Sequence, residues 1–305
     1  MLLSLTEEQV AALLTPAEAF AAVEASFQRL ARGAIDNPPR VRAEVPGGVF
    51  AVMPCVDHEL GYAGLKSYLW LEAGAPFVVV LFSLAHARVE AVLEAERLGE
   101  LRTAAASAVA ARLLARPSPR TLGIFGCGRQ AASHVAALRT ALPSLEQVVV
   151  HCPDAARLAA FCREHDCEEA AAPADAGACD VVVTATTSSR PVLAGEWLSA
   201  GAFVCSVGAN DPAARELDDD VIRRAGFVAT DARSQAMAEA GDLITAVDRG
   251  LLDWPDVHEL QDVVTGALRA GAHDGLITVF KSNGLAVWDL AAAARVVELA
   301  RATPK

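Results

Sequence analysis

The segment at residues 121–131, TLGIFGCGRQA, carries residue types whose spacing could bind a phosphate group. An apolar run stops at Gly126, and Gly128 and Ala131 complete a G-x-G-x-x-A pattern ahead of an Ala-rich segment of helical spacing. Gly126 permits a tight turn, Gly128 lets the backbone approach a pyrophosphate, and Ala131 lets the helix pack against the strand. The pattern predicts a dinucleotide site at the start of a helix, and its candidate residues are Gly126, Gly128, Arg129, Gln130 and Ala131. The alternative is a strand–helix turn that binds no ligand.

Two basic residues are candidates for binding an anion. Lys66 lies inside an apolar strand pattern, GLKSYLW, where an unpaired ammonium is costly to bury. It is either a residue at a strand end or on a solvent-facing position, or a cation that awaits an anionic ligand. Arg102 precedes a run of small residues that allows close packing, which makes it a second candidate. Arg40 and Arg42 lie in a loop that two preceding prolines stiffen, so both side chains are held in place.

Two regions of different pattern must position these residues. The first predicts two helices between residues 6 and 33, strands at 49–54, 62–70 and 77–83, and a helix over 94–115. An Arg-Pro-Ser-Pro segment at 116–119 then marks a domain boundary. Beyond it the pattern predicts strands at 122–125, 147–151, 180–186, 202–208 and 226–230, a helix at 154–164, a strand from 277, a turn at 283–284 and a final helix.

Strands that alternate with helices predict an α/β fold with a doubly wound parallel sheet of Rossmann type. Ligands of such sheets bind at the carboxyl ends of the strands. Thr184, Thr186 and residues 207–210, which begin with Val207, are therefore expected to line the same crevice as the Gly-rich turn.

Composition excludes several classes of function. A net charge of -12 over 305 residues argues against a nucleic-acid partner, because phosphate backbones need a basic face. No apolar run approaches the roughly 18 residues of a membrane span, and the N-terminal segment lacks the basic start of a signal peptide. Seven cysteines without a C-x-x-C pair argue against a disulfide framework and a zinc site. The sequence thus predicts a cytoplasmic protein with no metal, no membrane and no nucleic-acid partner.

Six stretches together resemble one family. They are PPR at 38–40, GLK at 64–66, LRTAAASAVAARLLA at 101–115, GIFGCGRQA at 123–131, EAGDL at 239–243 and FKSNGLAVWDLAAA at 280–293. They cover nearly the whole chain, and their order is that of the ornithine cyclodeaminase/mu-crystallin family. RTAAASA and FKSNGLA are specific to it, whereas the glycine motif alone would not be.

The resemblance implies a homodimer of two-domain subunits. An α+β substrate and dimerisation domain would comprise residues 1–117 and 283–305, with a Rossmann domain inserted at 118–282. It also implies a nicotinamide cofactor and a small amino-acid-like carboxylate substrate. By motif position, Arg40, Lys66 and Arg102 match the family's basic residues around the substrate carboxylate and the nicotinamide. On the same basis the cofactor-binding residues are expected to include Arg102, Thr184, Thr186, Val207 and Ser282.

One departure from the family bears on the reaction. Relatives that deaminate and cyclise ornithine carry an Asp after the fifth strand, where this chain has Asn210, followed by Asp211. An amide cannot exchange a proton as a carboxylate does, so the cyclodeaminase reaction is disfavoured. The first hypothesis is reduction of a cyclic imine carboxylate of the pyrroline-2-carboxylate or piperideine-2-carboxylate type, with Lys66 and Asn210 as candidate catalytic residues. The alternatives are an ornithine cyclodeaminase or amino-acid dehydrogenase, and a non-catalytic protein that binds NADPH and a small ligand.

Two chemical details stay open from sequence. Lys66 or a bound water could protonate the imine nitrogen. NAD enzymes usually place an Asp or Glu at the end of the second strand, where this chain has His151, Cys152 and Pro153, with Asp154 one step later. The missing acid favours NADPH slightly over NADH, although no Arg is evident for a 2′-phosphate.

Overall fold

The computed structural model describes residues 2–268 and 275–302. The described chain contains fifteen β-strands and eleven α-helices. The strands are β1 (Leu3–Leu5), β2 (Ile35–Asp36), β3 (Val41–Val45), β4 (Gly48–Asp57), β5 (Tyr62–Leu71), β6 (Phe77–Ser83), β7 (Arg88–Glu94), β8 (Thr121–Phe125), β9 (Gln147–His151), β10 (Glu168–Glu169), β11 (Val181–Thr184), β12 (Phe203–Ser206), β13 (Ala225–Thr230), β14 (Val257–Glu259) and β15 (Ile277–Lys281). The helices are α1 (Glu7–Leu13), α2 (Pro16–Ala31), α3 (Glu96–Leu114), α4 (Arg129–Ala141), α5 (Ala155–His165), α6 (Pro173–Gly177), α7 (Asp219–Arg224), α8 (Arg233–Glu239), α9 (Gly241–Asp248), α10 (Leu260–Val264) and α11 (Ala286–Ala302).

The chain forms two compact units. The first comprises residues up to 106 together with those from 284 onward, and the second comprises residues 107–283. The division between residues 106 and 107 falls inside helix α3, ahead of the proline-containing segment at 116–119 where the sequence suggested a boundary. The second division, between 283 and 284, falls one residue after the end of the inserted domain expected from the resemblance.

The first unit is built on a seven-stranded sheet of order β1-β7-β6-β5-β4-β2, with β3 paired to β4. β1 and β7 run parallel, and the other neighbours are antiparallel. In β4 every second residue is buried, which is the period of a strand with one face toward a core. On the opposite side of that core, Phe27 of α2 contacts Trp288 of α11 with ring centroids 5.4 Å apart.

Four strands of this sheet, β1, β2, β3 and β7, were not predicted from sequence. β1 has only three residues and pairs in parallel with β7, Leu3 beside Ala91, so it is not evident from its own residues. Residues 37–42 were expected to form a stiff loop, but the structure starts strand β3 at Val41, which lies opposite Val52. Arg42 is therefore a strand residue, and its position is exposed.

The second unit contains an eight-stranded sheet of order β10-β9-β8-β11-β12-β15-β13-β14, and every neighbouring pair in it is parallel. From β8 the chain moves outward to β9 and β10 and then returns to β11 on the other side of β8. The sheet order thus reverses at the carboxyl end of β8, which is where doubly wound sheets bind their ligands. The predicted class is confirmed: an α/β fold with a Rossmann-type parallel sheet and a separate mixed sheet.

Candidate functional site

Three charged side chains meet in the interior of the first unit. Lys66 lies in the middle of β5 and only 5% of its surface is exposed, so the solvent-facing alternative is wrong. Its Nζ lies 3.1 Å from Oδ1 of Asp289 on helix α11. Arg102 of α3 donates from Nε to the same oxygen at 2.9 Å. Asp289 was not identified from sequence, although it stands inside the FKSNGLAVWDLAAA motif. An acidic residue in an otherwise apolar helical segment was the available signal.

Gly284 shapes the space around the two arginines of this site. Its φ of +82° lies in the left-handed region, and a Cβ there would stand 2.7 Å from Nη1 of Arg102. The Arg102 guanidinium also lies over the Trp288 ring, 5.8 Å from its centroid. Arg40 donates to the Tyr68 hydroxyl at 3.2 Å and to the Gly284 carbonyl at 3.4 Å. Arg40, Lys66 and Arg102 are thus brought together, as the sequence suggested.

The electrostatics of this group favour an anion. Two buried cations, Lys66 and Arg102, share one carboxylate oxygen of Asp289, and Arg40 adds its positive charge in the neighbourhood of Lys66. The pKa of Lys66 is lowered to about 8, first by burial and then by the positive charge of Arg102, while Asp289 opposes the shift. A carboxylate ligand would neutralise part of the remaining positive charge, and its oxygens suit charge-assisted hydrogen bonds from arginine. A lysine with a pKa near 8 can also exchange a proton near neutral pH.

The Gly-rich turn of the second unit fits a dinucleotide. Gly126 has a φ of +112°, and a Cβ on it would lie 2.5 Å from the Ala185 carbonyl oxygen, so this position requires glycine. Gly128 is the N-cap of α4, and among the described residues no atom lies within 4 Å of the position that its Cβ would occupy. Open space over the N-terminus of a 13-residue helix is suited to a phosphate group. Ala131 is fully buried, which agrees with close packing of the helix, whereas Arg129 is exposed.

Gln130 adds a polar group to this turn. Its Oε1 is buried and has no hydrogen-bond partner in residues 2–268 and 275–302. An amide oxygen in this state is an available acceptor for a ligand hydroxyl. The turn therefore offers backbone donors, open space and one unsatisfied acceptor.

A buried carboxylate organises the loops after β11 and β12. Glu216 accepts hydrogen bonds from the Thr184 hydroxyl at 2.9 Å, from the Thr186 hydroxyl at 2.8 Å and from the Gly208 N–H at 2.7 Å. Val207 N–H donates to the Thr184 carbonyl at 2.9 Å, which ties the two strand ends together. Thr184 is fully buried and its hydroxyl is engaged with Glu216. The expected cofactor contacts of Thr184, Thr186 and Val207 stay predictions, and Glu216 is a supporting residue that the sequence did not reveal.

Asp242, which stands in the EAGDL motif, lies behind this loop. It accepts the backbone N–H groups of Glu216 and Leu217, each at 2.8 Å, and pairs with Lys281 Nζ at 3.1 Å. Asp242 and Lys281 are both fully buried. Removing either partner of a buried ion pair destabilises the fold, because the remaining charge is left buried and uncompensated. The motif thus has a structural explanation in this unit.

Ser282 and Asn210 occupy different surroundings. Ser282 is buried, and its hydroxyl donates to Asp231 at 3.2 Å, so its contact with a cofactor stays a prediction. Asn210 and Asp211 are both exposed in the segment after β12. The Asp211 carboxylate accepts the Ala213 N–H at 2.8 Å. Asn210 stays the residue predicted from sequence to contact a substrate, with Asp211 as its alternative.

The end of β9 bears on cofactor choice. Asp154, one step after the His-Cys-Pro segment at this strand end, is the N-cap of α5, where its Oδ1 accepts the Arg157 N–H at 3.0 Å. One of its two carboxylate oxygens thus caps the helix. The thiols of Cys127 and Cys152 form a hydrogen bond beside the Gly-rich turn. Burial and this hydrogen bond raise the pKa of the Cys127 thiol to about 11.

Helix α4 is anchored by a buried histidine. His134 contacts the Gln130 carbonyl at 2.7 Å through Nδ1 and the Ser107 hydroxyl at 2.9 Å through Nε2. It is completely buried, and desolvation lowers its pKa to about 4. The folded protein thus keeps this imidazole neutral.

Acidification is expected to destabilise the protein through His134. Because the unfolded state takes up the proton at a pKa of about 6.5, stability is fully present above that pH and falls until about pH 4. Between pH 7 and 5 this one group should remove about 2 kcal/mol of the free energy of unfolding. Urea unfolding of the native protein and of His134→Gln at both pH values measures it, with exposed His86→Gln as the control. An equal pH dependence in native protein and His134→Gln would contradict the expectation.

Two further searches cover the described residues only. No cluster of three or more His, Cys, Asp or Glu side chains able to hold a metal ion was found there. Over the same ranges, no single helix has the length and apolar character to cross a membrane. The pair α1 and α2, bent by 82°, meets that criterion jointly, by length and composition alone.

Comparison with known proteins gives consistent matches over the whole chain. The family model described as "Ornithine cyclodeaminase/mu-crystallin family" matches residues 2–303. Delta(1)-pyrroline-2-carboxylate reductase 2 of Burkholderia ambifaria is 34% identical over 296 residues, which cover 93% of this chain and 91% of that protein.

Two solved structures share the fold. An archaeal alanine dehydrogenase dimer with bound NAD has a TM-score of 0.92 at 32% identity, covering 98% of this chain and 96% of its own. The Delta(1)-pyrroline-2-carboxylate reductase of Thermococcus litoralis, in complex with NADH and L-proline, has a TM-score of 0.92 at 26% identity and covers 98% of both chains. The family model, the relative and the structures agree with the motifs, and the chain therefore belongs to the ornithine cyclodeaminase/mu-crystallin family.

Proposed function

We propose that this protein reduces a cyclic imine carboxylate to the cyclic amino acid with NADH or NADPH. The observation that carries the proposal is that two buried cations, Lys66 and Arg102, share one carboxylate oxygen of Asp289, so that one positive charge of this pair is left for an anionic substrate. Similarity to two pyrroline-2-carboxylate reductases supports the substrate class. The open turn at Gly128 supports the dinucleotide.

Each basic residue has a proposed role in binding. Arg40 and Arg102 hold the substrate carboxylate, since guanidinium groups match its two oxygens. Lys66 is mostly protonated at neutral pH, because its pKa of about 8 lies above 7. It both contacts the carboxylate and supplies the proton that the imine nitrogen requires. The nicotinamide supplies the hydride.

The nucleotide-binding residues are proposed from the second unit. The backbone at Gly126, Gly128 and Arg129 holds the pyrophosphate, and Gln130 offers its unsatisfied oxygen to a hydroxyl group. The loops held by Glu216 present Thr186 and Val207 beside that turn. The end of β9 has His151, Cys152 and Pro153 in place of an acid, and Asp154 caps helix α5 through Oδ1, which supports the slight preference for NADPH.

A homodimer is proposed from the outer face of the first unit's sheet. This face lies opposite the buried residues of β4, and its apolar side chains include Phe50, Leu69, Val80 and Phe82. Phe50 is 42% exposed and Val41 of the adjoining strand 65% exposed. A contiguous apolar face of this kind is typical of an interface, and the similar archaeal enzyme is a dimer.

The seven cysteines are all free, which agrees with a reducing compartment such as the cytoplasm.

One assay panel tests the proposed reaction against its alternatives. Purified protein is mixed with NADH or NADPH and with pyrroline-2-carboxylate, piperideine-2-carboxylate, or pyruvate plus ammonia, and oxidation of the cofactor is followed by absorbance. We expect turnover with at least one cyclic imine and little with the keto acid. Faster turnover with pyruvate and ammonia would identify an amino-acid dehydrogenase. Cofactor binding without turnover of any substrate would identify a binding protein.

The ornithine arm of the panel tests Asn210. Native protein incubated with ornithine and NAD is expected to release no ammonia, because an amide cannot serve as the proton acceptor. Asn210→Asp and Asp211→Asn are measured beside it. Ammonia that is released by the native protein and disappears in Asp211→Asn would show that Asp211 holds the family's acidic position. That result would overturn the preference for imine reduction.

A further inference from the structure

Asp289 is a carboxylate in a place that disfavours one. Helix α11 buries every residue from Ala286 to Ala294, and Asp289 is the charged member of that run, 1% exposed. An isolated buried carboxylate is costly, so this position requires partners that hydrogen-bond or pair with it. Its Oδ1 is shared by two cations, and its Oδ2 has no hydrogen-bond partner within the part of the chain that the structure describes.

The geometry gives this carboxylate a bridging position. Lys66 comes from β5 and Arg102 from α3, and the two cations approach one oxygen at 3.1 and 2.9 Å. Two positive charges that both lie within about 3 Å of one oxygen atom are close enough to repel one another, and an anion between them offsets that repulsion. A bridging anion therefore fixes where both cations stand, and it leaves their remaining N–H groups for a ligand. One of these, Nη1 of Arg102, is buried without a hydrogen-bond partner in the described chain.

We propose, building on the proposed function, that Asp289 is a positioning residue of the site that binds the substrate carboxylate. It holds Lys66 and Arg102 in place relative to each other and keeps Lys66 protonated. Asp289 touches no reacting atom in this proposal. It acts through the two cations.

The charges around Lys66 support the second part of the proposal. Arg102 and Arg40 both disfavour its ammonium form, and Asp289 is the anion that opposes them. The Cys55 thiol faces the same interior, and burial together with the charges of Asp57 and Asp289 raises its pKa to about 12, so it stays neutral. Phe77 lies 5.2 Å from the Lys66 Nζ and adds an aromatic face. Without Asp289, burial and two arginines would act on Lys66 unopposed.

Asp289→Asn separates charge from shape. The amide has the same size and retains an oxygen that can accept from Arg102, but it removes the negative charge. The probe is pyrrole-2-carboxylate, a planar analogue of the imine acid, and its dissociation constant is measured by calorimetry from pH 5 to 10 without any cofactor. In the native protein we expect binding to weaken as the pH rises through about 8, where Lys66 loses its proton. In Asp289→Asn the same weakening should begin about 1 to 3 pH units lower, with recovery of binding near pH 5.

Asp57→Asn is the matched control. Asp57 is also a fully buried carboxylate of the first unit, paired with Arg29 at 2.7 Å and without contact to Lys66 or Arg102 among the described residues. Both variants should lose stability in thermal unfolding, but only Asp289→Asn should shift the pH dependence of probe binding. An unshifted profile in Asp289→Asn, or a loss of affinity that is equal at every pH, would overturn the proposal. Absence of probe binding by the native protein would overturn it as well.

The result can be separated from the proposed reaction. If the native protein binds the probe but reduces no cyclic imine, the proposed reaction is wrong, while the shift in Asp289→Asn still decides the role of Asp289. If imines are reduced and the profile of Asp289→Asn is unshifted, the reaction stands and the positioning role is wrong.

Discussion

Lys66→Met is expected to lower kcat/KM for a cyclic imine carboxylate by about 10- to 150-fold, the equivalent of one lost charge-assisted hydrogen bond. Methionine is nearly as long as lysine and apolar, so it fits the buried position on β5 without an unpaired charge. Arg102 keeps Asp289 occupied through its bond at 2.9 Å, and the fold should therefore persist. Initial rates over a range of substrate concentrations at several pH values measure the effect.

The separation of kcat from KM distinguishes the two roles given to Lys66. A rise in KM alone would mean that it only binds the carboxylate, whereas a fall in kcat together with a flattened alkaline limb would mean that it also supplies the proton. Arg40→Met should raise KM by a similar factor. Arg42→Met is its control, because Arg42 lies two residues away on an exposed position of β3. Native kinetics in both Lys66→Met and Arg40→Met would remove the carboxylate site from this group of residues.

Gly128→Val is expected to weaken binding of NADH and NADPH by more than about 100-fold, or about 2.8 kcal/mol, with little change in the unfolding midpoint. The backbone at Gly128 has φ of -102°, which any residue can adopt, and no atom of the described chain lies within 4 Å of the added Cβ. The added Cβ therefore has room in the folded protein, and a loss of affinity without a loss of stability would come from the space that the pyrophosphate occupies. Fluorescence titration of the reduced cofactor together with thermal unfolding measures both quantities.

Gly126→Val provides the contrast to this variant. There the φ of +112° and the Ala185 carbonyl 2.5 Å from the new Cβ should destabilise the protein itself. Gly128→Ala should give an intermediate loss of affinity. Full affinity for the reduced cofactor in folded Gly128→Val would mean that the turn has only a structural role and that the protein binds the dinucleotide elsewhere.

Much of the second unit could be predicted because its signals are local. The strand at 147–151 was placed at the bounds that the structure shows, and α5 was displaced by one residue. Apolar runs of five residues separated by helical periodicity are sufficient for that purpose. β10 and β14, of two and three residues, were missed because such short strands exist only through pairing with β9 and β13.

The cations were recognised as unusual, but their partners were not. Lys66 stood out because it interrupts an apolar strand pattern, and Arg102 because it directly precedes a run of small residues. The bond from Arg102 to Asp289 spans 187 residues of chain, and no periodicity links positions that far apart. Glu216 is a similar case, since its role depends on Thr184 and Thr186, about thirty residues earlier in the chain.

The sequence by itself determined the Gly-rich turn, the parallel α/β region and the family, because turn geometry, strand period and motif order are encoded within short windows of residues. Tertiary structure alone decided that Lys66 is buried, that Asp289 bridges it to Arg102, and that Glu216 holds two strand ends together. Those facts depend on distances between segments remote in sequence, and electrostatic and hydrogen-bond energies depend on such distances rather than on position along the chain.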